Sequence, residues 1–164
     1  MRWLDRLLGR GGSYFGCRIS EIATVDQRVE IEGQVEALSV LHDPITGEPA
    51  VVLDYQARKP GVAQRYFGID ERDRGIAATQ AVDFVLRDPT GAALIEVARG
   101  GDVGRLHQRM HEEFGIGLDA TVDRIAAGDR IRVRGRVRTL DEGSSPHRRE
   151  PWMVVVVAEE LELL

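Results

Sequence analysis

Two histidines four residues apart, His107 and His111, are the first place to look for chemistry. On a helix that spacing puts both imidazoles on one face, where they could reach one metal ion. Gln108 follows His107 where the zinc-protease pattern H-E-x-x-H needs its glutamate general base, and Glu112 falls on a neighbouring face. Two ligands without a third read as solvated helix histidines, and no metal site is assigned. Asp43 and Asp88 each open a D-P-x-(x)-G turn, where the carboxylate bonds to its own backbone. The single Cys17 excludes an internal disulfide framework and any multi-cysteine zinc module; it reads as a small structural residue. No G-x-S-x-G elbow, P-loop, Cys–His pair or close carboxylate pair is present, and the G-R-G-G-S run does not join a strand to a helix. No catalytic residue and no cofactor is expected.

The other chemical feature is a ladder of arginines. Arg130, Arg132, Arg134 and Arg136 alternate with apolar residues in RIRVRGRVRTL (130–140), and Arg138 extends the row. The same pattern occurs a hundred residues earlier as RVEIEGQVEAL (28–38), with Glu30, Glu32 and Glu36 on the outward side. A period of two is that of a half-buried strand. Gly33 and Gly135 stand at the same place on the apolar side of each repeat, which marks a bend or a close backbone approach. Two readings of the charged faces stay open. Both can be solvated, or they can meet across a sheet or a subunit interface, where opposite charges favour pairing. Arg130, Arg132, Arg134 and Arg136 are therefore candidate partner-binding residues.

A second candidate surface lies at the start. In MRWLDRLLGR, Trp3, Leu4, Leu7 and Leu8 form an apolar stripe opposite Arg2, Arg6 and Arg10, and Gly11-Gly12-Ser13 follows as a hinge. A helix this short is marginal alone, so it must bind its own domain, a partner groove or an anionic membrane surface.

The remaining elements are placed by periodicity and turn residues. Residues 14–25 are an extended lead-in whose Phe15, Ile19, Ile22 and Val25 can reach a core. A first hairpin runs from Arg28 to about Leu41, turns at Asp43–Gly47 and returns over Ala50–Arg58. Residues 59–80 are a long polar excursion, either an extended hairpin tip or a mobile loop, with Tyr66 and Phe67 as contact residues or core residues. A second hairpin pairs Ala81–Arg87 with Ala92–Ala98. Asp102 caps a helix through Glu113, with Val103, Leu106, Met110 and Phe114 on its inner face. Ile116–Ala126 crosses to the strand at Arg130–Leu140, 141–151 is a polar loop, and Trp152–Leu164 is a last strand, its MVVVV run buried on both faces.

Length and composition fit one soluble domain over 13–164 behind a docking segment and hinge at 1–12. Net charge of −5 and a pI near 5.4 oppose a phosphate-binding footprint, and the arginine strand has no interleaved aromatics. An OB-like binder of single-stranded nucleic acid is thus the alternative function, not the leading one. No stretch approaches the length of a membrane span and no secretory signal is evident, so a cytoplasmic location is expected, with peripheral contact at the inner membrane as an option.

The order of these pieces resembles the GIDE, or BAM, domain family, the non-catalytic part of a mitochondrial E3 ubiquitin ligase and of many bacterial proteins. The residues that carry the resemblance are Pro44, Ile45, Thr46, Gly47 and Pro49 before a strand ending in Tyr55. Phe84, Leu86, Asp88, Thr90 and Gly91 form a second signature, and Gly128 to Gly135 a third, over roughly 28–140. The resemblance implies a mainly β, small OB-like barrel with one helix. Family members sit beside transmembrane helices and the ligases carry a cysteine-rich RING; neither is found here, so ligase activity does not carry over. The expectation is a non-catalytic binding or scaffold module, recruited to a protein assembly or membrane surface through Trp3, Leu4, Leu7 and Leu8. Its partner is another protein or a membrane-associated assembly, with self-association as a further option; nucleic acid is not expected.

Overall fold

The structure is a computed structural model and describes residues 13–22, 26–58, 75–138 and 154–164. The described residues are mainly β with one α-helix. The chain divides into two compact units. One draws on Met1–Ser39, Val82–Ala98 and Ala126–Leu164; the other is Val40–Ala81 with Arg99–Ile125.

The first unit holds β1 (Phe15–Gly16), β2 (Arg28–Ala37), β7 (Phe84–Asp88), β8 (Gly91–Glu96), β10 (Arg130–Arg138) and β11 (Val155–Leu163). Its strands run in the order β1-β2-β10-β11-β8-β7, and β7 pairs back onto β2, so five strands close into a ring. The alternating residues behave as their period requires. Val29, Ile31 and Val35 of β2 and Ile131, Val133 and Val137 of β10 are buried inside with Phe84, Leu86 and Ile95, while the charged residues between them point out. The two echoed segments are direct antiparallel neighbours: Ile31 pairs with Val133, Glu32 with Arg132 and Glu30 with Arg134.

Both repeat glycines stand where no side chain fits. A Cβ on Gly33 would lie 2.5 Å from the carbonyl oxygen of Arg87 in β7, and one on Gly135 would lie 2.3 Å from that of Val157 in β11. Inward residues of a tightly curled strand run into the neighbouring backbone, and glycine removes the obstacle. Beside Gly135 the β10–β11 register slips. Arg134 pairs with Glu160 but Gly135 pairs with Ala158, leaving Glu159 as the extra residue of a β-bulge.

The second unit holds β3 (Leu41–His42), β4 (Pro49–Ala50), β5 (Val52–Arg58), β6 (Gly75–Ala81), α1 (Val103–Phe114) and β9 (Asp119–Ile125). Strands β3 and β4 form a short hairpin, and β5 is the centre of a three-stranded sheet, β6-β5-β9. Leu53, Tyr55 and Ala57 of β5 pack with Val103 and Leu106 of α1. Asp102 caps the helix by accepting from the Arg105 amide at 2.8 Å, and Gly115 ends it at φ 60°.

Several expectations need correcting. The first strand stops at Ala37 rather than Leu41: Leu38 and Val40 are about half exposed, so alternation there has no core to serve. The return strand does pair near its turn, Leu41 with Ala50, but β5 then joins β6 and β9 in another sheet. The end of the excursion is a strand, β6, which begins at Gly75, pairs antiparallel with β5 and takes Ala81 with it; residues 59–74, Tyr66 and Phe67 included, lie outside the described residues. The crossing at 116–126 contains the strand β9, hidden from periodicity because its inner residues, Ala120 and Val122, are small. Phe15 does not reach a core and is 57% exposed, whereas Ile19 is buried. The valine run is not covered on both faces: Val155 and Val156 are buried and Val157 is partly exposed. Trp152, Leu140 and Val25 fall outside the described residues.

Candidate functional site

The arginine ladder becomes a grid once the ring closes. Strand β10 lies between β2 and β11, and both neighbours present glutamates to it. Arg132 bonds Glu32 at 2.6 Å on one side and Glu162 at 2.9 Å on the other. Arg134 is held between Glu30 and Glu160, the latter at 3.0 Å. Arg130 meets Glu32 at 3.4 Å and Arg136 approaches Glu159 at 4.0 Å. Five arginines (28, 130, 132, 134, 136) thus face five glutamates (30, 32, 159, 160, 162). Donating to Glu30 and Glu160 pushes the Arg134 guanidinium further up from an already high value, so its charge is permanent.

Of the four candidate arginines, Arg132 and Arg134 are enclosed, with side chains 27% and 21% exposed. The end residues stay open, Arg130 at 71% and Arg136 at 52%. The other four candidates, Trp3, Leu4, Leu7 and Leu8, lie outside the described residues.

Tyr14 and the β11 carboxylates Glu159, Glu160 and Glu162 were not singled out from sequence. Glu159, re-aimed by the bulge, accepts from the Tyr14 hydroxyl at 2.8 Å and pairs with Arg28 at 3.1 Å. The Tyr14 ring lies 5.5 Å from the Arg28 guanidinium and 5.9 Å from that of Arg134. Burial, then the bond to Glu159, raises the Tyr14 hydroxyl above its ordinary range and keeps it a donor. Alternation in VVVAEELEL could have shown the carboxylates of β11, but not the slip that turns Glu159 toward Tyr14.

In the second unit His107 and His111 do share a helix face, their ring centroids 6.2 Å apart. His107 is engaged through Nδ1 with the hydroxyl of fully buried Tyr55 at 3.1 Å, and the two rings meet edge to face. Among the described residues no cluster of three or more His, Cys, Asp or Glu could hold a metal ion. Burial first, then the neighbouring His111, pushes the His107 imidazole below its ordinary value, against a smaller opposing pull from Asp43. The folded state therefore prefers neutral His107, and its contribution is complete above the free imidazole value of 6.5 and declines as pH falls through the lowered one. Melting temperature should drop as pH falls below the free imidazole value of 6.5, and His107→Gln should flatten that slope. Equal slopes in calorimetry of the two proteins would remove His107 from the account.

Asp43 and Asp88 serve their turns. Asp43 accepts from the amides of Ile45 and Thr46 and from the Thr46 hydroxyl. Burial alone would raise Asp88, but bonds from Ile19, Thr90 and Gly91 outweigh it and hold its carboxyl below the usual range. Burial and the nearby carboxylates raise the Cys17 thiol, in keeping with a structural residue. Among the described residues no helix is long and apolar enough to cross a membrane.

No family model matches the chain, and no curated protein does. Solved structures that resemble it include a chain assigned as an aspartyl-tRNA synthetase from Leishmania major Friedlin. That likeness has 15% identity and a TM-score of 0.41, and covers 94% of this chain. This chain spans about a fifth (21%) of the length of that protein.

Proposed function

We propose that the chain is a non-catalytic binding module of the GIDE type, its ring an OB-like barrel, that works by attaching to a protein or membrane-associated assembly. The observation that carries this reading is the neutralised arginine ladder. A strand with five alternating arginines is the natural place for a polyanion to bind, yet each of Arg130, Arg132, Arg134 and Arg136 faces a carboxylate of the same unit. The charges hold strands together and leave little net positive field for a phosphate backbone. A partner reading this strand would meet its open ends, Arg130 and Arg136. The apolar stripe of Trp3, Leu4, Leu7 and Leu8 is the recruiting element, and its three arginines favour an anionic surface.

Deleting residues 1–12 tests this. The thermal transition should stay within about 2 °C, while co-sedimentation with anionic vesicles and retention on the native assembly should be lost. A large fall in melting temperature would show instead that the segment packs on its own unit. Unchanged stability with unchanged attachment would leave it without a recruiting role.

A further inference from the structure

Residues 13–18 lie on the ring as a strap whose outer part is held largely by the Tyr14 side chain, before buried Ile19, its amide bonded to Asp88, anchors the chain. Strand β1 makes two parallel register pairs with β2, Phe15 with Val29 and Gly16 with Glu30, and the Cys17 amide donates to the Glu30 carbonyl at 3.1 Å. So short a pairing is weak by itself. The rest of the strap is loosely held: Phe15 is mostly exposed, and a Cβ on Gly16 would meet nothing within 4 Å.

Tyr14 is held from three directions. Its hydroxyl donates to the Glu159 carboxylate, and the guanidinium groups of Arg28 and Arg134 lie against its ring. The β-bulge exists at the one residue, Glu159, that makes the hydroxyl contact. Beneath the strap an open cleft of about 480 Å³ runs between Gly16, Cys17 and Arg18 on one side and Glu30, Glu32 and Asp88 on the other. On the edge of β2 that β1 occupies, no described residue pairs with Ile31 or Glu32; at Gly33 the Arg87 carbonyl of β7 already closes on the strand, and β7 pairs from Gln34 onward.

We propose that this socket is a strand-addition site for an extended peptide bearing a tyrosine, occupied in cis by the chain's own strap. The chemistry selects the occupant. Two guanidinium groups favour the face of an aromatic ring, and a carboxylate at its far end demands a hydroxyl donor, which phenylalanine lacks. The two β2 residues that no described residue pairs with on this edge, and the cleft beside them, give an incoming strand more register than β1 uses. The strap therefore sets the affinity, because a partner must displace it before binding. This site is distinct from recruitment through residues 1–12 and stands whether or not that reading does.

The test uses the full chain and, as probe, a labelled synthetic copy of residues 13–22 with serine in place of cysteine. In fluorescence anisotropy the probe should bind Tyr14→Ala saturably and about tenfold more tightly than the parent, since the strap no longer competes. Adding Glu159→Gln should weaken that binding, and a probe with phenylalanine for tyrosine should bind less well. Absence of saturable binding to Tyr14→Ala, or binding indifferent to both changes, would overturn the proposal. Hydrogen exchange of the β10 and β11 amides reports whether the ring survives. If Tyr14→Ala disturbs it, Tyr14→Phe keeps the ring contacts and frees only Glu159. A smaller gain in probe binding to that variant then supports the site, and no gain refutes it.

Discussion

Gly135→Ala should destabilise the first unit by about 3 kcal/mol, and Gly33→Ala by a similar amount, at the top of the usual range for forcing one methyl group into a packed site. The added carbon on residue 135 would stand 2.3 Å from the Val157 carbonyl oxygen and 2.8 Å from a methyl of Val156. On residue 33 it would stand 2.5 Å from the Arg87 carbonyl oxygen. A backbone oxygen cannot rotate aside as a flexible side chain can, so relief requires the two strands to separate and their ladder bonds to stretch. Gly16→Ala is the control, because the same carbon meets nothing within 4 Å there. Denaturant unfolding of the three variants should show two large losses and one value near the parent. If all three match the parent, the curl of β2 and β10 does not depend on glycine.

Replacing Glu30, Glu32, Glu160 and Glu162 with glutamine should raise the protein's affinity for single-stranded DNA. The change is nearly isosteric and takes the formal net charge from −5 to −1, the difference being the four carboxylates removed. Among the described residues, Arg132 and Arg134 would lose every carboxylate bonded to them, leaving a row of arginines along one strand face. A gain of at least about tenfold at low salt is expected, falling with log salt at a slope near −0.7 per phosphate contacted. The parent should bind weakly at any salt. Sub-micromolar, salt-resistant binding by the parent would reverse the functional reading, and no gain in the variant would show that the ladder's neutralisation is not what suppresses it. The pairs are partly exposed, so their loss should cost stability only modestly, about 1 kcal/mol each at most.

Much of the fold was legible because the signals involved are local. Alternation alone assigns Val29, Ile31 and Val35 to the inside of β2 and Glu30 and Glu32 to its outside, since successive residues of a strand must point to opposite faces. Asp102 and Gly115 bracket α1 for equally local reasons: one supplies a carboxylate to free amides, the other adopts a positive φ. The two D-P turns and the need for glycine at 33 and 135 could be read the same way.

What only the tertiary structure decided is which strands meet. Periodicity says how a strand faces, not beside whom it lies, because pairing depends on loops closing over many residues. Val52–Arg58 looks like the return arm of the first hairpin, yet its ladder partners are 75–81 and 119–125. The small inner side chains of β9 gave no apolar signal until Tyr55 and α1 supplied the surface they cover. The same holds for the site. The glutamates and arginines of the two echoed segments are plain in the chain, and their opposite signs are suggestive. Only the antiparallel register sets Arg132 against Glu32 and Arg134 against Glu30. Only β11, arriving from the far end of the chain with a one-residue slip, closes the grid and turns Glu159 to Tyr14, 145 positions away. A bulge is the difference in length between two paired strands, and neither strand's sequence contains it alone.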